Sequence, residues 1–261
     1  MSRMSKKLKI ILAALVLVAV VGGVGVWYFF KDDAPPEVSA DDAAATAAAA
    51  QEEDDATEDS ADDGAETDST EAAADGIEGT WAVDTTIGTF DFTDSASATF
   101  VGFRIEEELS GVGSTTAVGR TPAVTGEITI EGTTLTEASF EADMTQITTD
   151  RAQRNSRVQG ALSTGEFPTA TFVLTEPVDF GSAAESGEAV TVTATGDLTI
   201  KGHTESVEIP LTAQLVGEII TVTGQLDIVF ADYDVEVPSA PIVVSASDSG
   251  VVEILLFLTR P

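Results

Sequence analysis

The chain has 261 residues, with 45 acidic against 12 basic side chains, a formal net charge of −33, one histidine and no cysteine. The missing cysteine excludes a disulfide framework, a thiolate metal site, a cysteine nucleophile and a lipid-modified cysteine, so stability must come from a packed core. So acidic a surface repels nucleic acid, which is held through basic patches, and anionic lipid headgroups as well.

Residues 1–9 carry Arg3, Lys6, Lys7 and Lys9, and from Ile10 to Phe30 there follow 21 residues without a charge. At helical rise this run is about 30 Å long, the thickness of a bilayer's hydrocarbon core. Lys31 is followed at once by Asp32 and Asp33, so the basic bias places residues 1–9 in the cytoplasm and the rest outside. Trp27 and Tyr28 sit near the end of the run, where aromatic rings favour the interface. Val38-Ser39-Ala40 has the spacing of a signal-peptidase site, but the apolar run exceeds the usual 7–15 residues of a signal peptide. The reading is a retained transmembrane anchor over 10–30 in the cell membrane.

Residues 31–78 are expected to be a disordered acidic linker. Positions 32–78 hold 18 Asp or Glu, no Lys or Arg and no aromatic residue, too little apolar area to offset the entropy of ordering. Ala43–Ala50 has helical propensity, yet the like charges after it disfavour a packed helix. As a coil, such a segment would span about 35–40 Å and hold the following domain clear of the membrane.

From Gly79 the composition changes to Thr, Val, Ile and Phe between turn residues, the signature of strands. Val190, Val192, Ala194, Leu198 and Ile200 alternate with polar residues, and a turn at Gly202-His203 leads into a second alternating run from Val207 to Leu215, a predicted antiparallel hairpin. Further strands fit 98–105, 125–130, 138–147, 170–174, 222–230 and 251–258. One helix is expected between Thr149 and Leu162, with Asp150 and Gln153 as a capping box and Asp150–Arg154 as an i,i+4 pair. Many short strands and one helix define an all-β class, an antiparallel barrel or sandwich, and closure removes the edges.

No catalytic constellation is legible. A Ser-His-Asp triad would need His203, placed in a turn, and no G-x-S-x-G elbow occurs. One histidine and no cysteine make a poor zinc set, and neither Gly22-Gly23-Val24-Gly25 nor Gly111-Val112-Gly113 continues as a phosphate loop. No cofactor or metal is expected. Glu106-Glu107-Glu108, and Asp232 with Asp234, read as solvated strand ends before they read as cation sites. Arg151, Arg154 and Arg157 form the one basic cluster of the domain. They suit local neutralisation better than a headgroup contact. Phe100, Phe103, Phe140, Phe167, Phe172 and Phe230 are spread over separate strands or their ends, which suits a lined cavity or a solid core alike.

Five segments in order resemble the YceI-like domain family: Trp81–Asp84 (WAVD), Ala98–Ile105 (ATFVGFRI), Thr121–Ile130 (TPAVTGEITI), Phe140–Phe172 and Gly196–Pro210 (GDLTIKGHTESVEIP). The resemblance covers most of 79–261. It implies an extended, lipocalin-like antiparallel barrel around an elongated apolar cavity for a polyisoprenoid or similar amphiphile, and no enzyme activity. Family members often carry His-Ser after the opening Asp, where this chain has Thr85-Thr86, and a histidine near the helix, where it has Ala152-Gln153. The candidate lining is Phe100, Phe103, Phe140, Phe172, Leu198, Ile200 and Phe230. The expected function is a tethered extracytoplasmic module that sequesters or carries a long lipid, with ~40 carbons burying several hundred Å² at about 25 cal/mol per Å². The alternative is a ligand-free interaction domain displayed on an acidic stalk.

Overall fold

A computed structural model describes residues 34–58, 76–110, 113–237 and 243–261. The expected cytoplasmic stub over 1–9 and the anchor over 10–30 lie outside these residues. Among the described residues no helix is long and apolar enough to cross a membrane.

The elements run in chain order as helix α1 (Ala40–Glu58) and strands β1 (Gly79–Val83), β2 (Phe100–Leu109), β3 (Gly113–Thr121), β4 (Val124–Glu131), β5 (Thr134–Asp143) and β6 (Thr148–Thr149). Helix α2 (Ala152–Ala161) follows, then β7 (Thr169–Leu174), β8 (Val178–Asp179), β9 (Val190–Ile200), β10 (His203–Val216), β11 (Ile219–Val229), β12 (Val243–Ala246) and β13 (Ser249–Thr259). All pairings are antiparallel in the order β1-β4-β5-β7-β9-β10-β11-β13, and β13 returns to β1 through Ala82↔Thr259 and Val83↔Leu258. Eight strands therefore close a barrel. The other half of β13 pairs with β2, through Val251↔Arg104 to Leu255↔Phe100, and β2 pairs along its length with β3. Since β3 leads into β4 across Pro122, one long strand holds β2 at one end of the barrel and β1 at the other.

The β9–β10 hairpin shows why the alternation is decisive. Its register runs unbroken from His203↔Ile200 to Ala213↔Val190, so the apolar residues of both strands share the inner face. The turn is Lys201-Gly202, one residue earlier than the sequence suggests; both have positive φ, 52° and 76°, the two-residue geometry that matches strand twist. His203 is the first residue of β10. The expected strand over 138–147 ends at Asp143, whose carboxylate accepts from the Thr145 N–H (2.8 Å) and starts a 3₁₀ turn. The α2 capping box does not form. The N-cap position is Arg151, and Asp150 instead accepts from the backbone N–H of Val118 (3.2 Å) and from the Arg154 guanidinium.

The linker expectation is corrected over 34–58. This segment carries a helix, and its residues up to Gln51 pack along the outer wall of the barrel; residues 31–33 and 59–75 of the expected linker lie outside the described residues. Ser39 caps α1, accepting from the Asp42 N–H at 3.3 Å, and Asp41 and Asp42 complement the helix dipole. Ala43 and Ala47, four apart on one face, are both fully buried against Phe100, Ile219, Leu255 and Phe257. Alanine contributes little area of its own, so the driving force comes from the barrel, whose outer face here is apolar and needs a cover. Charge composition measures what a segment offers, not what its neighbour demands.

Candidate functional site: an apolar cavity in the barrel

The strands' inner faces enclose a cavity of about 210 Å³, lined almost wholly by hydrocarbon. Val158 and Ala161 of helix α2, with Leu162 at its C-cap, close its side, and Phe230, Tyr233 and Val235 cover its end. A second apolar space of about 70 Å³ continues beyond it, towards Ile77, Phe180 and Leu215. Tyr233 is buried, and that burial, reinforced by Glu205 and Asp232, pushes its phenol up to about 12, so it lines the chamber as a neutral group.

Of the seven residues proposed from the sequence, Phe103, Phe140, Phe172, Leu198, Ile200 and Phe230 line the larger chamber. Phe100 does not. It lies on the outside of the barrel, completely buried beneath α1. Phe100 and Phe103 are three apart on one strand, and side chains alternate with period two, so they cannot share a face. The inward residues of β2 are Val101, Phe103 and Ile105. Further lining residues are Leu226, from the alternating run of β11, and Val252 and Ile254, from the nearly continuous apolar run of β13; neither run said which face was the lumen.

Beneath the N-terminal segment lies a buried charge cluster that the sequence reading missed. Arg120 and Glu253 are both completely buried and pair at 3.3 Å, and Arg104 reaches the other Glu253 oxygen at 3.5 Å. Arg120 also donates to the carbonyls of Asp94 (2.7 Å) and Pro36 (2.8 Å), and its guanidinium stacks 4.3 Å from the Phe100 ring. Burial lowers the Arg120 pKa, opposed by the Glu253 charge. The available signal was a lone charge inside each of two apolar strand runs, AVGRT and VVEILL.

The other candidate groups disperse. Arg154 pairs with Asp150 and Glu107, and Arg151 lies 3.7 Å from Asp150, so these two members of the basic cluster are neutralised locally, while Arg157 is exposed on α2. Glu107 is thus an ion-pair partner, and Asp234 pairs with Lys201 at 3.1 Å, which lowers the Asp234 pKa. Among the described residues no group of His, Asp and Glu could hold a metal ion. His203 is exposed.

A closed eight-stranded antiparallel barrel, its lumen apolar and only partly filled, defines a lipocalin-like class of protein. The family model of the YceI-like domain matches residues 92–256, and the chain belongs to that family. Its fold is similar to a polyisoprenoid binding domain from Saccharophagus degradans implicated in plant cell wall breakdown (22% identity, 69% of this chain and 98% of that one, TM-score 0.51). It is also similar to BcnA of Burkholderia cenocepacia (18%, 62% and 96%, 0.47) and to the Campylobacter jejuni YceI protein (14%, 55% and 84%, 0.46). No curated protein matches the chain.

Proposed function

We propose that the chain is a membrane-anchored, extracytoplasmic lipid-binding protein that sequesters or carries a polyisoprenoid or similar long amphiphile. The observation that carries this reading is the larger chamber. A space of about 210 Å³ walled by Phe, Leu, Ile and Val offers a hydrocarbon tail burial on every side, while the near absence of polar lining leaves a headgroup no place but the mouth. The reading is binding and not catalysis, supported by a lining that is almost wholly hydrocarbon. The S. degradans domain supports this by its fold and by what it binds.

Arg104 and Arg120 hold the carbonyls of Pro35 and Pro36 against the barrel. With an anchor ending at Phe30, the tether is then only about four residues, at most ~15 Å. The barrel sits close to the bilayer and not on a long stalk, so a lipid would travel a short path between membrane and lumen.

The test is mass spectrometry of an organic extract of the chain purified from membranes without added lipid. A stoichiometric long-chain amphiphile is the expected result. Repeated lipid-free preparations that also take up no added prenyl alcohol would leave a ligand-free interaction domain as the better reading. Topology is checked by protease added to intact spheroplasts, which should release the β domain; protection of it would reverse the orientation.

A further inference from the structure

The N-terminal segment crosses the outer wall in one direction, and β13 beneath it gives that direction a scale. Arg104, paired with Val251 near the start of β13, holds the Pro35 carbonyl at 2.9 Å. Glu253, two residues on, accepts from the Val38 N–H at 3.3 Å. Ala43 and Ala47 then lie over Leu255 and Phe257, and Gln51 donates to the Val216 carbonyl beside the β10–β11 turn. From 35 to 51 the segment thus follows β13 from its first residues towards its last. Its entry point lies near the end of the barrel where Val229 pairs with Ser249, where Lys201 reaches Asp234, and where Phe230, Tyr233 and Val235 cover the lumen.

We propose that residues 34–51 are a strap that orients the barrel, so that the end covered by Phe230, Tyr233 and Val235 is the surface that faces the bilayer. The proposal rests on the anchored reading above. A tether of about four residues after Phe30 reaches at most ~15 Å. Turned over, the barrel would place the stretch from Val251 to Thr259 between the bilayer and Pro35. That is about 26 Å of strand, or about 20 Å along the axis at a tilt of ~40°. The tether is too short for it. Charge opposes lying on the strap, whose outer side exposes Asp41, Asp42 and Glu52 and which has no Lys or Arg to offset them. The assigned end is mixed. Asp232, Asp234 and Asp248 are exposed there, but so are Arg157 on α2 and the apolar Val229 and Val244, 47% and 65% accessible. Orientation is therefore set by the short tether and the docked strap, and not by headgroup attraction.

The experiment uses the full chain, which has no cysteine of its own to compete for a label. Asp232→Cys and Glu218→Cys each place a fluorophore on an exposed site just beyond one end of β11, an 11-residue strand of about 35 Å. Each labelled chain is reconstituted into phosphatidylcholine–phosphatidylglycerol vesicles that carry a nitroxide quencher on the headgroup, and flotation reports anchoring. Strong quenching at position 232 and little at 218 is the expected result. Twenty Gly-Ser residues inserted after Lys31 add about 25 Å of reach and should abolish the difference while the strap stays docked. Equal quenching of the two sites without the insertion, or more at 218, overturns the orientation and leaves the anchor intact. A difference that survives the insertion shows that the bilayer holds the rim directly, which overturns the strap as the cause. A chain that does not float with the vesicles overturns the anchored reading and the proposal together.

Discussion

The two faces of β13 are both removed from water, and they are removed in different ways. Its outward residues Glu253, Leu255 and Phe257 are completely buried under α1, residues 34–39 and the loop that carries Phe90 and Ala96. Its inward residues Val252, Ile254 and Leu256 border open space. The outside is a packed core that even accommodates a buried ion pair; the inside is an apolar surface whose volume is not filled. Burial and packing are thus separate properties, and a binding site is where they part.

The largest expected effect breaks the outer face. Glu253→Ala leaves the Arg120 guanidinium buried without a counter-charge and should cost about 3–5 kcal/mol, a fall in Tm of roughly 10 °C for a domain of this size. Thermal unfolding of Arg120→Met/Glu253→Leu separates charge from packing, because replacing both partners should recover much of that loss. A double variant no more stable than Glu253→Ala would show that the carbonyl contacts of Arg120 to Asp94 and Pro36 matter more than the pair.

A smaller effect is expected from the cover itself. Ala47→Asp places a charge against Phe257 and its neighbours and should undock α1, at a cost bounded by that helix's own contribution, about 1–2 kcal/mol. Hydrogen exchange should then show α1 amides unprotected while β9, β10 and β11 stay protected. Loss of protection throughout would mean that the helix belongs to the barrel's folding unit.

The sharpest comparison of the two faces adds volume to each. Phe257→Trp overpacks the filled side and should cost about 1–3 kcal/mol. Leu226→Phe adds volume towards the larger chamber and should change the melting temperature little while lowering bound lipid. Equal destabilisation by the two substitutions would mean that the lumen is a solid core.

These contrasts mark how far the sequence could be read. Alternation in β9, β10 and β11 made strands, hairpin and barrel class legible, since each run must put one face inward. It did not say that β13 would bury both faces, although the nearly continuous run GVVEILLFL is what two buried faces produce. Helix α1 was hidden because its buried face is alanine and its affinity resides in Phe100, Leu255 and Phe257, far away in sequence. Phe140 and Phe172 stood out, but the glycines that their rings pack against, Gly126 and Gly196, become meaningful only once the register sets β4 beside β5 and β7 beside β9.

The smallest expected effect falls on a residue at the exposed rim between the two faces. His203 opens β10 opposite Ile200, at the barrel's rim and exposed. The hairpin is held there without it: Lys201 and Gly202 supply the positive φ values, and Lys201 reaches Asp234 across the barrel's end. His203→Ala should therefore shift stability by less than about 1 kcal/mol, the scale of exposed sites without such features, and leave bound lipid unchanged. Denaturant titration with lipid extraction checks both. A lost ligand with an unshifted unfolding midpoint would place the imidazole at the headgroup, and the mouth would then hold a polar contact that the apolar lumen lacks. A lowered midpoint with lipid retained would instead place His203 among the groups that stabilise the β9–β10 turn.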